Sequence, residues 1–215
     1  MTRVIRGIGW TLIMFGAEIL LYIVYLLFFT NLQTGRAQDA LLNDWELEFG
    51  AVAEATPASE PVDEDPAAVD PGDAYAAIWF TRPDGTRIVH GDPLYVVEGV
   101  SLEHLKSGPG HYPETAAPGN EGNFAVSGHR TTYGAPFYNL DDLAAGDEVH
   151  VVDREGREWV YEVSETAVVQ PNDVWVIGED PLETGRPTLT LTTCHPRFSA
   201  AQRYIVFAEL RGSAA

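Results

Sequence analysis

Residues 74–212 are predicted to form an all-β domain, either a sandwich or a closed barrel. Seven short runs in this stretch are rich in β-branched and aromatic residues, which favour strands. Gly, Pro and Asp residues, as in Pro83-Asp84-Gly85, punctuate the runs as turns. Many short strands with tight turns are typical of sandwiches and barrels. The expected strands are Ala76–Phe80, Leu94–Val97, Phe124–Ser127, Val149–Val152, Trp159–Val163, Leu189–Thr192 and Tyr204–Phe207. Only Leu102–Lys106, Phe137–Leu143 and Asn172–Val176 look helical, and all three are brief.

The chain begins with an apolar stretch, Ile8–Phe29, in which Glu18 is the one charged residue. As a helix it would span about 33 Å, enough for a bilayer core of about 30 Å. It is longer than the apolar region of a cleaved signal peptide, and no small-residue cleavage site follows it. We therefore expect an uncleaved membrane anchor. The alternative is a buried helix of a globular core.

The basic residues indicate the orientation of this anchor. Arg3 and Arg6 precede the apolar stretch, Arg36 follows it, and no further Lys or Arg occurs before Arg82. Because basic residues favour the cytoplasmic side, the N-terminus is expected inside the cell and the rest of the chain outside. Residues 1–36 are thus assigned to the cytoplasmic N-terminus and anchor, in a single-pass protein of the cell membrane.

Residues 37–73 are expected to join the anchor to the β domain. Ala37–Phe49 reads as a short helix with apolar residues near one face. Gly50–Asp73 reads as a tether, since Pro, Ala and acidic residues cannot bury enough apolar surface to offset the entropy of ordering. Residues 37–73 carry 11 of the 32 acidic residues and no Lys or Arg. We expect residues 74–212 to fold and to be active without them.

Charge and cysteine content exclude several functions. The formal net charge is −19, so there is no basic patch to displace counterions from nucleic acid. The single cysteine, Cys194, excludes an intrachain disulfide and every metal site built from several cysteines. The carboxylates form no compact calcium loop, so neither a metal nor another cofactor is expected.

Cys194 is the candidate nucleophile. Pro196 stops the strand two residues later, which places the thiol at a strand end. A lone cysteine is more often an inert buried residue, but an unpaired thiol outside the membrane calls for an explanation.

A nucleophilic thiol needs a proton partner and a group that stabilises the developing oxyanion. His129 follows the strand Phe124–Ser127 at Gly128 and is the candidate proton partner. Arg203 begins a strand nine residues after the cysteine, so a hairpin would return it beside the thiol. A surface arginine flanking an edge strand is the alternative. His150 lies in an apolar alternation and reads as structural, while His195 should point away from Cys194.

These residues resemble the sortase family. Thr190-Leu191-Thr192-Thr193-Cys194 is similar to the sortase signature Thr-Leu-x-Thr-Cys, Gly128-His129 follows the strand where sortases place their catalytic histidine, and Arg203 matches the arginine on the strand after the cysteine. The stretches most like class E sortases of Gram-positive actinobacteria are Gly110-His111-Tyr112-Pro113, Ser127-Gly128-His129-Arg130-Thr131-Thr132-Tyr133-Gly134 and Cys194-His195-Pro196.

The resemblance implies a closed eight-stranded β-barrel and a cysteine transpeptidase. Such enzymes cut a C-terminal sorting signal, Leu-Ala-x-Thr-Gly or Leu-Pro-x-Thr-Gly, between Thr and Gly and join the Thr to an amine of peptidoglycan or its lipid-linked precursor. Carried over, Cys194 is the nucleophile, His129 the general acid and base, and Arg203 the oxyanion and substrate contact. Thr193 would contact the substrate or oxyanion, and Tyr112 would line the groove.

Two other interpretations remain open. Another wall-directed cysteine transpeptidase or peptidase is possible, although a papain-like Cys-Gly-x-Cys-Trp element is absent. From a different class, the domain would be an inactive β-barrel binding module on a stalk at the cell surface.

Overall fold

The computed structural model describes residues 2–25, 29–58, 61 and 68–211. Two helices, α1 (Thr2–Val24) and α2 (Thr30–Phe49), precede the strands. The strands are β1 (Thr56–Pro57), β2 (Ala74–Thr81), β3 (Leu94–Glu98), β4 (Gly110–His111), β5 (Asn123–Ser127), β6 (Glu148–Val152), β7 (Arg157–Val169), β8 (Thr188–His195) and β9 (Gln202–Leu210).

Eight of these strands form a closed barrel, which confirms the predicted fold. Around the barrel the order is β7-β6-β2-β3-β4-β5-β8-β9, and pairing of β7 with β9 closes it. Because β7 and β9 pair with each other, neither is left as a free end strand of an open sheet. Most neighbours are antiparallel, but β3–β4 and β5–β8 are parallel. The β5–β8 pair positions the candidate site.

All seven expected strands are present, although several extend beyond the predicted bounds. Two very short strands, β1 and β4, were not predicted because two residues show no recognisable alternation. The three brief helical stretches overlap 3-10 turns at His104–Lys106, Leu140–Asp142 and Val174–Ile177.

The barrel interior is filled by large aromatic and aliphatic side chains. Phe80, Phe124, Phe137, Trp159 and Tyr161 are almost completely buried there. Their packing accounts for the alternation seen along most strands, in which inward residues are apolar.

Strand β2 departs from this alternation because both of its faces are covered. Ile78 and Phe80 point into the barrel, whereas Ala77 packs outward beneath α2. Trp45 of α2, only 1% exposed, contacts this outer face together with Tyr95. Helix α2 therefore belongs to the folded unit.

The region before the barrel differs from the prediction in two ways. Helix α2 starts at Thr30, seven residues before the predicted start at Ala37, because Thr30 and Thr34 are buried against the barrel. The predicted tether is also partly ordered. Strand β1 pairs with the start of β7, along the side that β9 leaves uncovered, and Val69 packs against the barrel core. Small residues suffice here because β7 offers backbone hydrogen-bond partners. Residues 59–60 and 62–67 of the predicted tether lie outside the described residues.

Helix α1 is long and apolar enough to cross a membrane, judged by length and composition. The qualifying segment is Arg3–Val24, none of whose side chains is buried against the rest of the described chain. It begins earlier than the predicted Ile8–Phe29, and residues 26–28 of that prediction lie outside the described residues.

Candidate active site

Cys194 lies near the end of β8 and faces Arg203 of β9. The two residues are register partners in the antiparallel pair β8–β9, so their side chains project from the same face. Ile205 and Phe207 of β9 share that face and belong to a small apolar cluster outside the barrel. The thiol is free and partly exposed on the outer surface of the barrel.

His129 reaches the same rim through the parallel pair β5–β8. In this pair Ser127 is the register partner of Thr192. His129 lies two residues after Ser127, and Cys194 lies two residues after Thr192. Parallel strands end at the same edge of a sheet, so the imidazole and the thiol come to one end of the barrel.

Two buried hydrogen bonds hold the ends of β5 and β8 together. The backbone N–H of Gly128 donates to the carbonyl of Thr192 at 3.0 Å. The hydroxyl of Thr193 donates to the carbonyl of Gly128 at 2.7 Å. Thr193 is 2% exposed and alternates to the opposite face from Cys194. This placement favours bracing of the two strands by its side chain, and the contact of Thr193 with substrate or oxyanion stays a prediction.

The environment of His129 is largely apolar. Burial lowers the pKa of its imidazole below the ordinary value of 6.5. Its Nε2 is buried and has no hydrogen-bond partner among the described residues. The ring of Tyr133 lies 5.0 Å away between centroids. The neutral imidazole is thus favoured in the free protein.

The guanidinium of Arg203 is oriented by backbone carbonyls of the β8–β9 turn. Its Nη1 donates to the carbonyls of Ala200 at 3.1 Å and Gln202 at 3.0 Å. Among the described residues, the hydrogen bonds of Arg203 use Nη1 alone. The N–H groups on Nε and Nη2 therefore remain to bind an acceptor beside Cys194.

Tyr112 follows β4 and approaches the same outer face. Its hydroxyl lies 3.5 Å from the hydroxyl of Thr192, two residues before Cys194. Because side chains two apart on a strand share a face, Tyr112 flanks the strip that leads to the thiol. It is partly buried, as a residue that lines a groove would be.

Comparison with known proteins identifies this arrangement. Residues 91–211 match the family model of the sortase domain. The chain belongs to the sortase family. Sortases are cysteine transpeptidases, and the matched residues include Tyr112, His129, Cys194 and Arg203.

The relatives agree with the resemblance to class E. Sortase SrtE1 of Streptomyces coelicolor is 30% identical over 95% of this chain and 56% of its own length, so this chain spans about half of that relative. The structure of sortase E from Streptomyces avermitilis is 36% identical, covers 67% of this chain and 91% of that one, and has a TM-score of 0.56. A sortase D5 transpeptidase of Clostridium perfringens is 27% identical, covers 82% and 99%, and has a TM-score of 0.64.

Arg130 is a member of this sortase site that sequence reasoning did not assign. It is 2% exposed, and its Nη2 lies 2.7 Å from the carboxylate of Asp141. Its Nη1 donates to the carbonyl of Cys194 at 3.5 Å, and its Nε donates to the carbonyl of Tyr138. A buried arginine therefore connects the segment after His129 to the end of β8. In the sequence, the one feature that could have indicated this role is the position of Arg130 next to His129.

His150 and His195, which were also considered from the sequence, take structural positions. Nδ1 of His150 lies 2.8 Å from Glu158, and the ring stacks on Trp79. His195 lies near Tyr204, on the opposite face from Cys194 as predicted. No group of three or more His, Cys, Asp or Glu residues that could hold a metal ion occurs in the part of the chain described here.

Proposed function

We propose that this protein is a membrane-anchored cysteine transpeptidase that cleaves a C-terminal sorting signal between Thr and Gly and joins the Thr to a cell-wall amine. The proposal rests mainly on the placement of three side chains at the same rim of the barrel. Cys194 and Arg203 face each other across β8–β9, and His129 follows the adjacent parallel strand. This arrangement provides a nucleophile, a cation and a proton carrier on an accessible face.

The first half-reaction is acylation of the thiol. The thiolate of Cys194 attacks the carbonyl carbon of the Thr residue and forms a tetrahedral oxyanion. Arg203 donates hydrogen bonds to that oxyanion from beside the thiol. The Thr–Gly C–N bond then breaks while His129 gives its proton to the leaving Gly amine, leaving a thioester on Cys194.

The second half-reaction reverses the proton transfer. An amine of peptidoglycan or of its lipid-linked precursor attacks the thioester and gives its proton to His129. The C–S bond breaks, the thiolate is restored, and a new amide joins the Thr to the wall amine. No metal or other cofactor takes part in this sequence.

The lowered pKa of His129 affects what fraction of the enzyme molecules is in the protonation state that reacts. Attack needs the thiolate, whereas expulsion of the Gly amine needs the imidazolium. Because burial disfavours the imidazolium, a minority of the free enzyme carries it at neutral pH.

The outer face of β8–β9 is the proposed site for the sorting peptide. Tyr112 lies beside Thr192, and the apolar cluster of Val176, Ile205 and Phe207 borders the same face. An extended peptide crossing this face would bring its Thr carbonyl to Cys194. A Leu-Ala-x-Thr-Gly motif is proposed from the likeness to class E, with Tyr112 against the residue that follows the Leu.

The proposed location is the cell membrane, with the enzyme domain outside. Helix α1 is the proposed membrane span, the one helix in the described part of the chain that is long and apolar enough, and Arg3 and Arg6 favour a cytoplasmic N-terminus. Residues 74–212 are proposed as the catalytic barrel and residues 37–73 as its connection to the anchor. Helix α2 begins before this connection and packs on the barrel.

The test is turnover by the full chain in detergent or nanodiscs. A fluorogenic peptide containing Leu-Ala-Ala-Thr-Gly is supplied with a glycine amine, and product masses are measured. Cleavage at Thr–Gly together with the Thr–amine adduct is expected from the wild type and absent from Cys194→Ala. Binding without turnover by the wild type would refute the proposal and support a binding module. Thermal unfolding of both proteins checks that Cys194→Ala keeps the fold.

A further inference from the structure

The start of α2 is hydrogen-bonded to the segment that follows His129. The side-chain Oδ1 of Asn31 accepts a hydrogen bond from the backbone N–H of Gly134 at 3.0 Å. The hydroxyl oxygen of Thr30 accepts from the N–H of Tyr133 at 3.5 Å. Two successive amides of one loop are thus satisfied by side chains about 100 residues away in sequence.

Two further residues of α2 attach the helix to neighbouring parts of the barrel. The hydroxyl of Thr34 donates to the carbonyl of Lys106 at 2.7 Å. The amide of Gln38 donates to the carbonyls of Tyr95 at 2.9 Å and Ser107 at 2.8 Å, and accepts from the N–H of Tyr95 at 2.8 Å. We call Thr30, Asn31, Thr34 and Gln38 the α2 clasp. Its side chains satisfy backbone groups, which fixes the helix in one position.

Gly134 permits this close approach. A Cβ atom at Gly134 would lie 2.9 Å from the side-chain methyl of Thr34, too close for ordinary contact. At Gly108 a Cβ would overlap the amide of Gln38. The barrel therefore has glycine at two positions where the α2 clasp packs against it.

The loop held by the clasp has an unfavourable backbone conformation. Tyr133, Gly134 and Ala135 have φ angles of 51°, 73° and 45°, all in the left-handed region. Two of the three are not glycine, and such residues remain left-handed only where surrounding contacts hold them. The backbone N–H groups of the first two of these residues, Tyr133 and Gly134, donate to the side chains of Thr30 and Asn31.

This loop also contacts the imidazole of His129. The ring of Tyr133 packs against it at 5.0 Å between centroids, and Nε2 of His129 has no hydrogen-bond partner among the described residues. The direction of the imidazole therefore depends on packing against its neighbours. Movement of Tyr133 would move the proposed proton carrier relative to Cys194.

We infer that the α2 clasp positions His129 for proton transfer, through the bond from Gly134 to Asn31 and the packing of Tyr133. The inference rests on the proposed function, in which His129 carries the proton. It makes the helix just after the membrane span a part of the active-site support. Asn31 is a positioning residue, since it touches the loop and not the reacting atoms.

The experiment compares three variants of the full chain. Asn31→Ala removes the acceptor for Gly134. Asn31→Asp keeps an acceptor oxygen for the N–H of Gly134 in a side chain of nearly the same size. Asn43→Ala is the matched control, because Asn43 is exposed on the same helix and its amide donates to the carbonyl of Asp39 within the helix.

Peptide turnover is expected to separate positioning from binding. In Asn31→Ala, kcat should fall on the order of tenfold, as misplaced catalytic groups cost large factors. KM should stay near the wild-type value, because the peptide binds to β8–β9. Asn31→Asp and Asn43→Ala should retain wild-type kcat. Wild-type kcat in Asn31→Ala, an equal loss in Asn43→Ala, or a change confined to KM would overturn the inference.

A second readout does not depend on turnover. The imidazole of His129, assigned by comparison with His129→Gln, is titrated by NMR in each variant. Asn31→Ala should raise the pKa of His129 towards its ordinary value because a loosened Tyr133 admits water. An unchanged titration would count against the clasp even if the peptide proved not to be a substrate. A wild type without turnover but with this shift would instead refute the proposed function alone.

Discussion

The hydroxyl of Thr193 donates a hydrogen bond to the carbonyl of Gly128 across the parallel pair β5–β8. Thr193 immediately precedes Cys194, and Gly128 immediately precedes His129. One buried bond thus spans the two strand ends that carry the proposed thiol and imidazole. The relative position of these two groups depends on it.

Replacement Thr193→Val should impair both stability and turnover. It leaves the buried carbonyl of Gly128 without its partner, a loss of about 1–3 kcal/mol in the free energy of unfolding. The shift of the strand ends should lower kcat on the order of tenfold. Thr188→Val is the control, since that hydroxyl is also on β8 and donates to the carbonyl of Arg186 at 3.0 Å, far from Cys194. Equal kcat losses in both variants would contradict a specific role for Thr193.

Replacement Arg203→Lys tests the proposed oxyanion contact. Lys keeps the charge but loses the planar fork that reaches two oxygens at once. We expect kcat/KM to fall about a hundredfold, as for loss of one oxyanion donor, with part of the loss in kcat. Alkylation of Cys194 by a small reagent should change much less, because it forms no oxyanion. Arg186→Lys, near the other end of β8, is the matched control, and near-normal turnover by Arg203→Lys would place Arg203 outside the chemistry.

His129 should make stability depend on pH. Burial lowers the pKa of the folded state below the unfolded value of about 6.5, so the unfolded chain binds more protons between these two values. The contribution of His129 to stability is therefore complete above the unfolded pKa and declines as the pH falls towards the folded pKa. Denaturant unfolding of the wild type and of His129→Gln at several pH values measures this difference. A gap between the two proteins that did not change with pH would contradict the buried neutral imidazole.

Trp45 is expected to make α2 necessary for a stable barrel. Trp45→Ala removes a side chain that is 1% exposed and should cost about 3–5 kcal/mol of unfolding free energy. Trp175→Ala is the control, because Trp175 is 51% exposed and should cost much less.

Two fragments test the contribution of α2 as a whole. A fragment starting at residue 30 keeps α2 on the barrel and should retain its stability. The fragment 74–212, which is predicted from the sequence to fold and to be active, should be less stable because the outer face of Ala77, Tyr95 and Val152 is uncovered. Equal melting temperatures of the two fragments would show that α2 is dispensable.

The elements of the barrel were largely predictable from local patterns. Short apolar runs between turn residues located seven strands, because alternation records which side chains face a core. The free cysteine before Pro196 indicated a strand end, and Gly128-His129 indicated another. The pattern predicted a sandwich or barrel, and the resemblance to sortases distinguished the two.

The packing of α2 was not predictable in the same way. Thr30, Asn31 and Thr34 look like ordinary polar residues at the end of a membrane span. Their role appears only when the amides of Tyr133 and Gly134 lie opposite them. Hydrogen bonds between residues 103 apart leave no local periodicity, and the same holds for the two-residue strand β1.

Apolar content, alternation and turn chemistry are local properties, so the sequence was enough to indicate the candidate membrane helix, the strands and the candidate residues Cys194, His129 and Arg203. How these residues meet depends on the tertiary structure. The parallel register of β5 and β8 brings the thiol and imidazole to one rim, and the antiparallel register of β8 and β9 places Arg203 opposite Cys194. It also buried Arg130 behind the site and placed α2 against the loop of His129. These relationships depend on which segments, distant in sequence, pack together. That packing is a property of the whole barrel rather than of any single segment.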